Sequence, residues 1–211
     1  ELSQSRLSTD PMRGTLDASS VTDISALSDV ASATGTLSLT NSTFSGQMPD
    51  FSQQTQGTDA AAGGTTDESA QGGMPGGMGG PGGMGGSSFG IDSFTALGVD
   101  PSATGVGPLT TTEVQDGRAL EADDAGEYVA VLDASYAESS DLAVGDMIDV
   151  GGTDLEIVGI VSSTSDEADT AANVFLPLDT ARELSDAGDV VSTVYVSASS
   201  SEAISQLQAE I

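Results

Sequence analysis

Apolar residues recur at Val21, Ile24, Leu27 and Ala31, three or four positions apart, which is the period of a helix with one buried stripe. Ser19 or Ser20 would cap its N-terminus, Asp23 would sit in its first turn, and Gly35 would stop it. Over residues 36–44 the period changes to two, with Leu37 and Leu39 followed by small polar, Thr-rich positions, and a half-buried strand is expected. Residues 94–99 and 128–132 are short apolar runs of strand length. Residues 133–142 accommodate a turn of helix before Gly145.

The sharpest local pattern is an alternating run over 146–150, the pair Gly151-Gly152, and a second alternating run over 153–161. Two glycines suit a two-residue hairpin turn that needs positive φ. That turn sets Ile148 opposite Leu155 and Asp149 opposite Asp154, and because like charges in register cost stability, the aspartate face is expected in water. Residues 173–177 read as another strand, and Pro177 leads into a helix with Leu178, Ala181 and Leu184 on one side. Residues 190–198 read as a strand that buries Val191, Val194 and Val196. Ser199 with Glu202 suggests a capping box for an amphipathic helix bearing Ile204, Leu207 and Ile211.

Residues 48–90 interrupt this alternation with Gln, Ser, Thr and Gly, then a Gly-Gly-Met run over 72–86. Such composition cannot bury enough apolar surface to offset chain entropy, so a flexible insertion between two ordered parts is expected. Met48, Met74, Met78 and Met84 fall in it. Thioethers are soft ligands that can hold Cu(I), yet no His or Cys assists them and a Gly-rich chain is costly to order, so a passive linker is the simpler reading.

Composition narrows the chemistry. The 211 residues carry 33 acidic against 4 basic side chains, a formal charge of -29, with no His, Cys or Trp. All basic residues are arginines (Arg6, Arg13, Arg118, Arg182), so a basic face for nucleic acid or anionic lipid is not available. Without His, Cys or Lys there is no Ser-His-Asp or Cys-His pair, no Schiff-base lysine and no ordinary zinc site. Paired carboxylates remain for hydrolysis or Ca²⁺ binding at Asp123-Asp124 and Asp166-Glu167, but aromatic residues are 4% and the spacing of a calcium loop is absent. No catalytic residue, cofactor or metal is therefore assigned. An acidic, lysine-free surface suits high salt or an exposed, soluble location. The chain opens on Glu1 and has neither a signal-peptide stretch nor the ~20 apolar residues of a membrane span, so it reads as a soluble piece of a longer protein.

In order along the chain, the first helix and strand precede Leu97-Gly98-Val99-Asp100-Pro101, then Gly117-Arg118 with acidic residues after it, then Val129-Ala130-Val131-Leu132. Leu142-Ala143-Val144-Gly145-Asp146, Ile157-Val158-Gly159-Ile160-Val161 and Val174-Phe175-Leu176-Pro177-Leu178 complete the series. This succession resembles the extracytoplasmic core domain of the MacB/FtsX-like family of ABC-transporter permeases. The resemblance implies an α+β fold, a MacB-like periplasmic core in which a porter-type β-α-β subdomain carries an inserted, mostly-β subdomain. The porter part would come from residues 1–47 and 186–211, the latter truncated by one strand, the flexible insertion would be 48–90, and the inserted subdomain 91–185.

It further implies a non-catalytic domain on the extracellular face of the cell membrane, coupling cytoplasmic ATP hydrolysis to the handling of a substrate or partner outside. The implied partners are a cytoplasmic ATPase subunit, a second permease copy or homologue, and an accessory extracellular protein, with no nucleic acid. Among the motif residues, Gly117, Gly145 and Gly159 mark turns or close backbone approaches, Pro177 fixes a helix entry, and Asp146 follows the Gly145 turn. Arg118 is expected to pair with Asp116 or Glu121, a ligand carboxylate being the alternative. A stand-alone secreted acidic binding or adhesive module is the competing reading of the whole chain.

Overall fold

The computed structural model describes residues 2–9, 14–46, 90–103, 105–165, 170–204 and 207–208. In chain order the elements are β1 (Leu2–Thr9), β2 (Leu16–Asp17), α1 (Ser19–Ser25), β3 (Val30–Gly46), β4 (Gly90–Val99), β5 (Thr112–Gly117), β6 (Val129–Asp133), α2 (Ala134–Ser140), β7 (Met147–Val150), β8 (Thr153–Ser163), β9 (Val174–Pro177), α3 (Leu178–Ser185), β10 (Val190–Val191) and β11 (Thr193–Ala198). Among the described residues, nine strands form one sheet in the order β1-β3-β4-β9-β6-β8-β5, with β11 also on β3 and β7 also on β8. The pairings β4–β9 and β6–β8 are parallel and the rest of this sheet is antiparallel. Helices and a mixed sheet make the α+β class expected from the resemblance.

Successive residues of a strand face opposite sides of the sheet, and the core divides accordingly. Ala96, Ala130, Leu132, Leu155, Ile157, Val174 and Leu176 pack on one side with Ala137 of α2 and Ala181 of α3. Leu97, Val99, Val131, Val161 and Phe175 pack on the other, under Leu120 and Leu109 from the connection between β4 and β6. The central strands β6 and β9 are therefore covered on both faces, and this explains their continuous apolar runs. Tilted ring packing of Phe94 on Tyr136, 5.4 Å between centroids, ties α2 to β4.

The Gly-Gly hairpin forms in the expected register. Gly151 and Gly152 have φ of 66° and 87°, Ile148 pairs with Leu155, and Asp149 pairs with Asp154 on the exposed side. Elsewhere the structure differs from expectation. Helix α1 ends at Ser25, and Ala31 and Gly35 belong to β3, which is longer than the 36–44 strand expected. Gly35 is required there by packing, because a Cβ would lie 2.5 Å from Val191 and 2.9 Å from Val21. Neither Ser19 nor Ser20 caps α1. Ala18 holds the cap position, Asp17 Oδ1 accepts from the Ser19 amide at 2.9 Å, and no acidic residue lies in the first turn.

The strand expected over 190–198 is broken at Ser192. The Ser192 amide donates to the Thr36 carbonyl at 2.7 Å and its hydroxyl accepts from the Ser38 amide at 3.1 Å, so β10 turns to pair with β2 while β11 pairs with β3. Val191 is buried, whereas Val194 and Val196 are only half-buried. Near the C-terminus it is the Ser200 hydroxyl that accepts from a following amide, that of Ala203 at 3.2 Å, while the Ser199 amide donates to the Asp29 carbonyl. Leu207 is buried and Ile204 exposed. Ile211 lies outside the described residues, as do Met48, Met74, Met78, Met84 and Asp166-Glu167, so the copper and second calcium readings fall there too. Gly90 is the first residue of β4 rather than the end of the insertion.

Candidate functional site

One edge of β8 gathers five of the six motif residues. Starting from the hairpin, that edge is paired first by β7, then by Gly145 and Asp146, then by Gly117 and Arg118, then by the rest of β5. The Gly145 amide donates to the Ile157 carbonyl at 2.8 Å, the Ile157 amide to the Asp146 carbonyl at 2.9 Å, and the Arg118 amide to the Val158 carbonyl at 2.9 Å. The Asp146 carboxylate closes its own turn by accepting from the Ala143 amide at 2.9 Å. The crossing is backbone on backbone. A Cβ on Gly159 would run into the Arg118 carbonyl, and one on Gly117, whose φ is 68°, would run into the Val158 carbonyl. At Gly145, with φ of 93°, there is open space, so only the backbone conformation requires glycine.

The Arg118 guanidinium pairs with Asp124 rather than with Asp116 or Glu121. Its two terminal nitrogens donate to the two carboxylate oxygens at 2.6 and 2.8 Å. Asp116 instead accepts from the Gly117 amide. Asp124 Oδ2 also accepts from the Glu121 amide at 2.7 Å, within a reciprocal capping box on the 3-10 turn Ala122–Asp124. That fold-back explains the choice of partner, since it brings the carboxylate six positions on in front of the fork. The Asp124 side chain is 9% exposed and that of Arg118 41%. The Arg118 hydrogen bonds hold the Asp124 carboxyl below the ordinary carboxylate range against its partial burial, and the same bonds raise the guanidinium. The pair pins residues 118–128 over the second core, where Leu120 is buried.

Pro177, the sixth motif residue, ends the wholly buried β9 and stands at the N-cap of α3. Buried Thr180 fastens that helix by donating to the Glu127 carbonyl at 2.9 Å. Arg182 is used inside the fold as well, on Asp189 at 3.1 Å and the Val190 carbonyl at 3.2 Å. Among the described residues no three acidic side chains converge as a metal cage. Asp124 of the Asp123-Asp124 pair is already engaged. An apolar groove of about 880 Å³ lies between β11 and the C-terminal turn, lined by Val194, Val196, Ile204 and Leu207. A polar hollow of about 330 Å³ lies at the N-terminal end of α2 beside Asp133, Tyr136 and Asn173. Five of the six motif residues thus meet along β8 through backbone contacts, braced by the Arg118–Asp124 pair. No helix among the described residues is long and apolar enough to cross a membrane.

Known proteins share this fold. The fold resembles the extracellular domain of the noncanonic ABC-type transporter YknZ from Gram-positive bacteria (TM-score 0.56, 11% identity, 98% of this chain and 88% of that one). It also resembles the periplasmic region of MacB from Actinobacillus actinomycetemcomitans (TM-score 0.55, 16% identity, 99% and 81%). At such identities the likeness is one of fold. In sequence, 69 residues are 41% identical to the uncharacterized ABC transporter permease YclI of Bacillus subtilis (strain 168), a stretch that is 29% of this chain and only 14% of that protein. Residues 30–211 match the family model of the MacB-like periplasmic core domain, and the chain belongs to that family, the periplasmic domain of ABC-transporter permeases.

Proposed function

We propose that this chain is the extracellular domain of an ABC permease subunit that performs no chemistry and couples ATP hydrolysis by a cytoplasmic ATPase to the handling of a substrate or partner outside the membrane. The family match over residues 30–211 carries this reading. The fold adds a mechanical route. Strands from both terminal segments, β1 and β11, lie on the same edge of β3, and β4 lies on its other edge over ten paired positions. Displacement of either terminal strand therefore acts on one strand, and β4 passes it to β9 and the sheet beyond.

In this reading residues 1–47 and 186–211 form the porter-like part that receives motion, and 91–185 the part that presents the outer surface. The permease works with a second copy or homologue, and an accessory extracellular protein meets the outer part. Internal use of Arg118, Asp124 and Arg182 supports a structural rather than ligand-binding role for these charges. No observation favours a stand-alone module.

Since the chain has no Cys, a single spin label on exposed Glu113 of β5 (Glu113→Cys, in an otherwise cysteine-free full-length permease) reports the domain's position. Pulsed dipolar spectroscopy between copies, with the ATPase present, should show a shift between nucleotide-free and ATP-trapped states, because a conformational change needs contacts that differ between states. Identical distance distributions in both states would remove the coupling role.

A further inference from the structure

Thr34, in β3, is 4% exposed, and its hydroxyl oxygen has no hydrogen-bond partner among the described residues. It borders a small hollow, about 20 Å³, lined also by Thr36, Val99, Asp100, Val106 and Leu109. The opposite wall is the turn that leads into the 3-10 segment Pro108–Thr111. This turn approaches closely: Gly107 has φ of 102°, and a Cβ there would lie 3.2 Å from the Thr34 methyl group.

We propose that one ordered water occupies this cavity and bridges the Thr34 hydroxyl to the wall formed by Thr36, Asp100 and the 106–109 turn. Size and chemistry both fit. About 10–15 Å³ is enough for a single water, and the site must offer it two or more polar partners, whereas cavities that stay dry are apolar. Here Thr34 and Thr36 supply hydroxyls and Asp100 a carboxylate, one oxygen of which is held by Ser102 at 2.9 Å from the amide and 2.6 Å from the hydroxyl. A hydroxyl buried with no partner would cost its full desolvation, and a bridging water removes that cost. The water would join β3 to the connection leaving β4, at the seam between the sheet's long ribbon and the segment that covers the second core. Its presence does not depend on any role in transport.

Two measurements on this chain test the site. Water–protein cross-relaxation by NMR should show a long-lived water next to the Thr34 and Gly107 amides in the wild type, retained in Thr34→Ser and lost in Thr34→Val. The sign of the thermal shift is the second readout. Val has nearly the shape of Thr, so if the hydroxyl holds a water, Thr34→Val lowers the melting temperature, and if the hydroxyl is dry and unpaired, removing it raises the melting temperature. Absence of the water signal in the wild type, or a Thr34→Val melting temperature equal to or above wild type, overturns the proposal.

Discussion

Replacing Asp124 with Ala tests whether the joint beside β8 is held by its ion pair. The substitution removes both charge-assisted bonds to Arg118 and the acceptor for the Glu121 amide. Breaking one side of a fully buried pair costs about 3–5 kcal/mol, because the survivor is left as an unpaired charge. Arg118 is 41% exposed, so its guanidinium can rehydrate and much of that penalty is avoided. Loss of the cap acceptor adds about 1 kcal/mol. A net destabilisation of about 2–3 kcal/mol follows, which in a domain of this size lowers the melting temperature by about 4–12 °C.

Thermal and urea melts should show this drop in Asp124→Ala, a smaller one in Asp124→Asn, and none beyond about 0.5 kcal/mol in Asp123→Ala, whose carboxylate is exposed. The pH dependence has a definite sign. Folding depresses the Asp124 carboxyl below its unfolded value, so the unfolded chain binds more protons in that window and stability rises with pH. The wild type's advantage over Asp124→Asn is present above the ordinary carboxylate range and is lost as pH falls through the lowered folded value. Asp124→Ala melting within error of Asp123→Ala would refute the clamp.

Glycine substitutions at the same joint should separate space from conformation: Gly159→Ala costs ~3 kcal/mol or more because backbone meets the new Cβ, while Gly145→Ala costs about 1–2 kcal/mol for positive φ alone, both read by denaturant midpoints. With a formal charge of -29, self-repulsion is relieved by screening, so the melting temperature should rise between dilute buffer and molar salt, and a flat response would show the charges too dispersed to matter. The chain has no Lys and no phosphate loop ending in one, so calorimetry at millimolar ATP should record no binding heat; measurable binding would count against a purely mechanical domain.

What could be read from the sequence follows how much each signal is local. The β7–β8 hairpin was legible because alternation and a Gly-Gly turn specify the same register. Strand β9 and helix α3 were legible because an apolar run meets Pro177. The two edge strands are hard to read from the sequence: Glu113, Gln115 and Asp116 in β5, and Gln4, Arg6 and Ser8 in β1, are exposed, with Leu7 buried in the latter. Polar edges resist unwanted pairing, and the same property hides them.

Gly35 reads as a helix stop in the sequence, although its reason to be glycine is the contact with Val191 from the other end of the chain, so the helix is shorter than the periodicity implies. At Arg118 the nearest acidic neighbours in sequence, Asp116 and Glu121, are not the partners. The signal for Asp124 was present as Glu121-x-x-Asp124, an acidic variant of the capping-box spacing, which would have predicted the fold-back.

The register of β3 constrains how coupling could work. β1 begins at Leu2 opposite Gly46, and β11 ends at Ala198 opposite Val30, so these points lie at opposite ends of one 17-residue strand. At about 3.3 Å per residue they are roughly 50 Å apart. In the proposed reading, displacement of β1 and displacement of β11 would therefore act on different stretches of β3, residues 39–46 and 30–36. Between them, positions 36–45 are bonded to β4 on the other edge, and β4 is bonded in parallel to buried β9. A rotation of β3 would thus drag the sheet that carries the β8 joint, and the Arg118–Asp124 clamp would keep the covering segment 118–128 moving with it. Under the proposed coupling role, loosening that clamp weakens transmission to residues 91–185 in the full-length permease while leaving β1, β3 and β11 paired, which makes Asp124→Asn a variant in which folding and coupling can be separated.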